Sequence, residues 1–146
     1  MRVLGIDYGR VRLGLALSDE EGILASPLPT LARSRRDVDD IARLVREREV
    51  ACVVVGLPLL MNGTDGTMAE EARAFAARVA DRTRLPVDLL DERWTSSEAE
   101  RAMLEGDLSR ERRKELRDGL SAVLILQAYL ARRRADRDLR PLGGKA

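Results

Sequence analysis

The first seventeen residues constrain the fold more than any other stretch. Val3, Leu4 and Ile6 form a short apolar run that reads as a buried strand. The run ends on a carboxylate, Asp7, and Tyr8-Gly9-Arg10 turns the chain. Gly9 suits a tight hairpin because glycine adopts a positive φ without a Cβ clash. Val11, Leu13, Leu15 and Leu17 then alternate with Arg12, Gly14 and Ala16, the period of a strand. The expected unit is a hairpin with an acidic residue at the tip of its first strand. A dry, unpaired carboxylate there would cost several kcal/mol. Asp7 therefore needs water, a cation or a metal; capping of turn amides is the plainer role.

The rest of the chain reads as alternating strands and helices. A third strand over Gly22 to Leu31 carries Ile23, Leu24 and Leu28, and Pro27 and Pro29 restrict it to a sheet edge. Asp37 to Glu49 has the spacing of an amphipathic helix, with Val38, Ile41, Ala42, Leu44 and Val45 on one face. Ala51 to Gly56 is a β-branched apolar run too short for a helix, as in a buried parallel strand. Leu57 to Gly66 is a loop at that strand's carboxyl end, where open α/β sheets bind ligands. Amides of Gly63 and Gly66 are candidates to cradle a phosphate, although Asn-Gly and Asp-Gly are also ordinary turn formers. A second helix runs from Thr67 to Arg82, with Ala72, Phe75, Ala76, Val79 and Ala80 inward, and a fifth strand from Leu85 to Leu90. Thr95 or Ser96 caps a helix to about Glu105, with Glu98 in the capping-box position. The last helix spans about Arg110 to Arg134 on a stripe of Leu116, Leu120, Val123, Leu124, Leu126, Gln127 and Leu130. One domain over 1–134 and a disordered tail over 135–146 are expected.

Composition narrows the chemistry. The chain has no histidine and one cysteine, Cys52, which sits in an apolar run and reads as a buried small hydrophobe. Ser-His-Asp and Cys-His catalysis are excluded, as is a zinc site of histidine and cysteine. Any metal must be held by oxygen, which favours Mg2+ or Mn2+. Aromatic residues are only 3%, so the core must be built from Leu, Val, Ala and Ile. The net charge of +1 gives no global basic signature. No apolar stretch is long enough to span a membrane and no signal-peptide pattern opens the chain, so a cytoplasmic protein is expected.

Acids converge in this scheme. Asp7 ends the first strand, Glu92 follows the fifth, and Asp118 lies among core-forming positions of the last helix. Convergent carboxylates bind divalent metals, and a metal pair about 4 Å apart can activate water and steady the leaving oxygen of a phosphodiester. Glu115, one turn before Asp118, is a possible further ligand or a solvated partner of nearby arginines.

Four motifs in order then match a family: Gly-Ile-Asp-Tyr-Gly at 5–9; Gly56-Leu57-Pro58 with Asn62-Gly63 and Gly66; Asp91-Glu92-Arg93 with Thr95; and Asp118 before Ala122, with Ile125-Leu126-Gln127 and Tyr129-Leu130. Over about Met1 to Leu130 the chain resembles the YqgF family, pre-16S ribosomal RNA nucleases also called Holliday-junction-resolvase-like proteins. The resemblance implies an α/β, RNase H-like fold, a five-stranded mixed sheet flanked by helices on both faces. It also implies a metal-dependent nuclease site at Asp7, Glu92 and Asp118. Gly119-Leu120-Ser121 after Asp118 departs from the family pattern. Junction resolvases of this fold carry a fourth acid, a place that only Glu115 could fill here.

Basic and aromatic residues supply candidate nucleic-acid contacts, each with a structural alternative. Arg10 and Arg12 flank the hairpin tip. Asn62 lies in the loop after the fourth strand. Arg93 can orient Glu92, hold a phosphate or simply form an ion pair. Trp94 can stack on a base or pack under the helix that follows. Arg113 and Lys114, with Arg110, Arg112 and Arg117, make a phosphate-gripping surface or a solvated face balanced by Glu111 and Glu115. Arg132, Arg133 and Arg134 offer a basic tail contact or a helix end.

The expected function is metal-dependent hydrolysis of structured RNA, in 5′-end maturation of pre-16S ribosomal RNA, by a monomer or homodimer. Three alternatives stand beside it. One is a nuclease for branched or damaged DNA. Another is a non-catalytic RNA-binding factor of ribosome assembly. The last is an ATPase of the sugar-kinase and actin type, suggested by Asp7-Tyr8-Gly9, for which the chain lacks a second lobe.

Overall fold

The computed structural model describes residues 1–58, 66–92 and 110–139, with side chains of the last helix described over 119–136. Five strands form one sheet: β1 (Arg2–Asp7), β2 (Arg12–Ser18), β3 (Ala25–Ala32), β4 (Val50–Leu57) and β5 (Val87–Asp91). Their order across the sheet is β3-β2-β1-β4-β5. β1, β2 and β3 form an antiparallel meander, whereas β4 and β5 run parallel to β1. Parallel neighbours need crossovers. Helix α1 (Asp37–Glu47) leads into β4 and helix α2 (Thr67–Thr83) leads into β5. Helix α3 (Arg110–Leu139) follows. This is the expected mixed five-stranded sheet, with the proline-bearing third strand at an edge.

Strand periodicity sorts the core into two layers. Leu4, Ile6, Tyr8, Leu13, Leu15, Val53 and Val55 pack with Ile41 and Val45 of α1 and Ala72, Phe75 and Val79 of α2. Val3, Ala16, Cys52, Val54 and Leu90 face the other way and pack with Ala122, Ile125, Leu126, Tyr129 and Leu130 of α3. The sheet is thus buried on both faces, which is why β1 and β4 read as continuous apolar runs.

Helix α3 lies close to β1. A Cβ built on Gly5 would stand 2.9 Å from Leu126 Cβ and 3.3 Å from the Ala122 carbonyl oxygen, so only glycine admits the helix at this depth. Polar contacts hold the later turns of α3. Gln127 accepts from the Ala25 amide at 3.0 Å, and Arg134 reaches the Gly22 carbonyl at 3.4 Å. Arg133 lies 3.2 Å from Cys52 Sγ, and the Tyr129 phenol donates to Asp88.

Several local expectations change. Gly9 does not use a positive φ: Gly22, at 71°, is the one glycine with positive φ among the described residues. Gly9 is needed for room instead, since a Cβ there would stand 2.3 Å from the Arg12 carbonyl oxygen. Val11 precedes β2 and is 71% exposed rather than inward. Ile23 and Leu24 precede β3 and are exposed. β4 runs on through Leu57, and β5 starts at Val87. α1 stops at Glu47, followed by Glu49 in the left-handed region. α3 continues to Leu139, so the first five residues of the segment expected to be disordered are helical. The apolar stripe ends earlier, but Ala135, Asp136 and the arginines before them are compatible with continued helix. The helix expected from Thr95 or Ser96 to Glu105, most of the loop before Gly66, and residues 140–146 lie outside the described residues.

Candidate active site

Asp7 is the last residue of β1, and its neighbours on both sides are glycines. Gly14 of β2 and Gly56 of β4 are its register partners. Val3 belongs to the α3 layer whereas Leu4 and Ile6 belong to the other, so the period of two turns Asp7 toward α3. The two glycines leave the sheet beside this carboxylate without side chains.

Glu92 follows β5 immediately and comes to the same place. The ladder pairs Gly56 with Leu90 and Leu57 with Asp91, which puts Glu92 just past the strand end. A Cβ on Gly56 would lie 2.8 Å from Glu92 Oε1 and 2.4 Å from Ile125 Cδ1. Gly56 is therefore a cradle in which the Glu92 carboxylate rests, level with Asp7 and beneath α3.

The third expected acid is carried by the helix. Ala122 and Leu126 lie over Gly5, while Leu130 and Arg133 share a cavity wall with Met1 and Val3. α3 thus runs antiparallel to β1. Its backbone carries Asp118, one turn ahead of Ala122 and two ahead of Ile125, toward the Asp7 end of the strand. The Asp118 side chain lies outside those described, as do those of Arg113, Lys114 and Glu115. Asn62, Arg93 and Trp94 lie outside the described residues altogether. Among the described residues no group of three or more acids, cysteines or histidines makes a metal cluster. The donors that are described fit a hard divalent cation: both are carboxylates, and Glu92 rests on Gly56, the register partner of Asp7.

The two hairpin arginines separate. Arg12 shares a strand face with Gly14 and Ala16, and so lies on the Asp7 side of the sheet. Arg10 turns toward α2, where Nη2 meets Glu71 Oε2 at 2.8 Å and Nε meets the same oxygen at 3.0 Å. That hydrogen bond and the carboxylate charge hold the Arg10 guanidinium above its ordinary pKa.

Behind the hairpin stands Arg33, just past β3. Its Nε donates to Asp37 Oδ2 at 2.7 Å and its Nη1 to the Gly9 carbonyl at 2.8 Å. Its guanidinium lies 4.7 Å from the Tyr8 ring centre and 5.3 Å from that of Phe75. Burial works to lower the Arg33 pKa, but its partners Tyr8 and Asp37 outweigh it and the net shift is upward.

Sequence reasoning missed Gly5, Gly14 and Gly56 as site-shaping residues, and Arg33, Asp37 and Glu71 as partners. The glycines did carry a signal, since glycine inside an apolar strand marks close approach of another group. No local pattern announced the Arg33 contacts, which join residues far apart in sequence.

Comparison with known proteins decides the family. The family described as "RuvX: Holliday junction resolvase" matches residues 1–132. The chain belongs to the RuvX family. A curated relative from Koribacter versatilis, named "Putative pre-16S rRNA nuclease", is 46% identical over 139 residues, 94% of this chain and 91% of the relative. One from Syntrophomonas wolfei with the same name is 47% identical over 132 residues, 89% of this chain and 94% of its own. Among solved structures, Thermus thermophilus RuvC matches with a TM-score of 0.58 at 16% identity, covering 92% of this chain and 97% of that one. The fowlpox virus Holliday junction resolvase matches at 0.55 and 11% identity, covering 90% and 99%. These likenesses confirm the RNase H-like fold. This RuvX-family chain is accordingly a nuclease, a hydrolase of the phosphodiester bond. The YqgF resemblance read from the four motifs is borne out. None of the helices searched among the described residues is long and apolar enough to cross a membrane.

Proposed function

We propose that the chain cleaves structured RNA in a divalent-metal-dependent reaction and matures the 5′ end of pre-16S ribosomal RNA in the cytoplasm. The observation that carries this reading is the Glu92 carboxylate resting over Gly56, the register partner of Asp7, on the sheet face toward which α3 brings Asp118. The choice of RNA is supported by the names of the curated relatives.

Asp7, Glu92 and Asp118 would hold Mg2+ or Mn2+, with Glu115 as a possible fourth ligand. Such an ion, when bound, supplies Lewis-acid stabilisation of phosphoryl oxygens and lowers the pKa of water. The carboxylates would fix its place beside the scissile backbone phosphate. Arg12, on the Asp7 face, holds that phosphate by charge and a planar donor fork. Arg10 joins only by leaving Glu71. Asn62, Arg93, Trp94, Arg113 and Lys114 complete the proposed nucleic-acid contacts.

A second reading keeps the site and changes the substrate to branched DNA; the family's description as Holliday junction resolvases favours it. The test is cleavage of a labelled precursor 16S fragment beside a four-way DNA junction, in Mg2+ and in Mn2+, by wild type, Asp7→Asn and Asp118→Asn. Metal-dependent cutting of RNA, abolished in both variants, is the expected result. Cutting of the junction alone moves the function to DNA. Binding of RNA that ignores metal and Asp7→Asn, without cleavage, makes the chain a non-catalytic assembly factor, acting as monomer or dimer.

A further inference from the structure

Asp7 is followed by four residues, Tyr8 to Val11, that belong to no strand. A ligand carboxylate at a strand end is only as well placed as the segment that leaves it. Here that segment is gripped by one residue at three points. The Arg33 amide donates to the Val11 carbonyl at 3.0 Å. Its Nη1 donates to the Gly9 carbonyl at 2.8 Å. Its guanidinium lies over the Tyr8 ring, itself packed on Phe75 with centroids 5.5 Å apart.

Arg33 is held in turn. Asp37, in the first turn of α1, is 2% exposed and accepts from Arg33 Nε at 2.7 Å. A carboxylate this buried is costly unless paired, so the pair fixes the orientation of both partners. The planar fork lets one guanidinium serve Asp37 and Gly9 at once, which a lysine ammonium on its flexible stem cannot reproduce. Tyr8 belongs to the layer of α1 and α2, whereas Asp7 faces α3. Arg33 therefore works from the face of the sheet opposite to that of Asp7.

We infer that Arg33, oriented by Asp37, is a positioning residue for the Asp7 carboxylate: it fixes the Tyr8–Gly9 backbone from behind and so holds Asp7 in place for a divalent cation. This rests on the reading of Asp7 as a metal ligand.

The test compares full-length wild type, Arg33→Lys and Asp7→Asn by Mn2+ titration calorimetry, amide hydrogen exchange and RNA cleavage. Arg33→Lys keeps a cation over the Tyr8 ring but loses the double hydrogen bonding. It is expected to weaken Mn2+ binding about 10- to 100-fold, as removal of an outer-shell partner does. Exchange should quicken at Tyr8 to Val11 alone, and kcat should fall while KM for RNA holds. If Arg33→Lys matches wild type in Mn2+ affinity while Asp7→Asn loses it, the positioning role is overturned and the site stands. If Asp7→Asn itself binds Mn2+ like wild type, the site reading fails and the inference with it. Exchange quickened across the whole chain would make Arg33 a general stabiliser and overturn the role as well.

Discussion

Glu92 Oε1 lies 2.8 Å from the point that a Cβ on Gly56 would occupy. Gly56→Ala therefore presses on two flexible ends, the Glu92 carboxylate and Ile125 Cδ1, the latter 2.4 Å from the same point. Ile125 is fully buried in the α3 layer, so the stability cost falls at about 1–3 kcal/mol, the range for overpacking. The displaced carboxylate has its own cost. Mn2+ affinity is expected to drop roughly tenfold or more. Urea unfolding beside Mn2+ titration checks this; an affinity that stays at the wild-type value would refute the cradle.

Gly5 and Gly119 make an opposed pair. At Gly5 a Cβ meets Leu126 Cβ at 2.9 Å and the Ala122 carbonyl at 3.3 Å, groups fixed by the helix backbone. Gly5→Ala is expected to lift α3 and cost about 1–3 kcal/mol. At Gly119 the Cβ meets Pro27 Cβ at 3.6 Å, ordinary van der Waals contact. Gly119→Ala removes a helix-interior glycine and is expected to stabilise by about 0.5–1 kcal/mol. Urea midpoints for the two variants should move in opposite directions.

The sequence made the sheet legible because each strand carries its own evidence. Leu13 and Leu15 alternate with Gly14 and Ala16, and the run around Val53 to Val55 is apolar on both faces. Asp7 stands out because it ends a strand, and Glu92 because it follows one at once. The reason for Gly9 was not legible: what crowds it is the Arg12 carbonyl, a contact set by the path of the loop. The Arg33 contacts were hidden for a similar cause, since Gly9, Phe75 and Asp37 meet it only in three dimensions. The end of α3 is not legible because the apolar stripe stops at Leu130 while the helix runs on to Leu139.

The Arg10–Glu71 pair is exposed, with side chains 57% and 35% accessible, and adds little to stability. In the proposed interface it would withhold a cation from the nucleic acid. Glu71→Gln is expected to tighten RNA binding at low salt and to steepen the salt dependence by about one phosphate contact. Its thermal midpoint should equal that of wild type. Binding isotherms at three salt concentrations decide the point; unchanged affinity and slope would leave Arg10 out of the interface.

Burial first, and then the hydrogen bond to Asp88, raise the Tyr129 phenol above its ordinary pKa. The unfolded chain ionises this phenol near about pH 10, the folded chain only higher. The stabilisation is therefore complete below about pH 10 and is lost as the pH rises beyond it. Tyr129→Phe is expected to be less stable at neutral pH by about 1 kcal/mol, a figure discounted because Asp88 is exposed. Above pH 10 its stability should fall less steeply than that of wild type. Urea midpoints at pH 7, 10 and 11 give the comparison, and parallel alkaline limbs would count against the assignment.

The close seating of α3 on Gly5 turns that helix into a balance beam with its fulcrum near Leu126. Asp118 and Arg134 lie eight residues to either side, arms of about 12 Å each. A tilt that moves one end by an ångström moves the other by about as much, in the opposite sense. Arg134 is tethered to the Gly22 and Ile23 carbonyls, at the end of the molecule away from Asp7. Because a misplacement of about 1 Å can cost two orders of magnitude in rate, the turn between β2 and β3 would govern, from the far end of the helix, where the backbone at Asp118 stands.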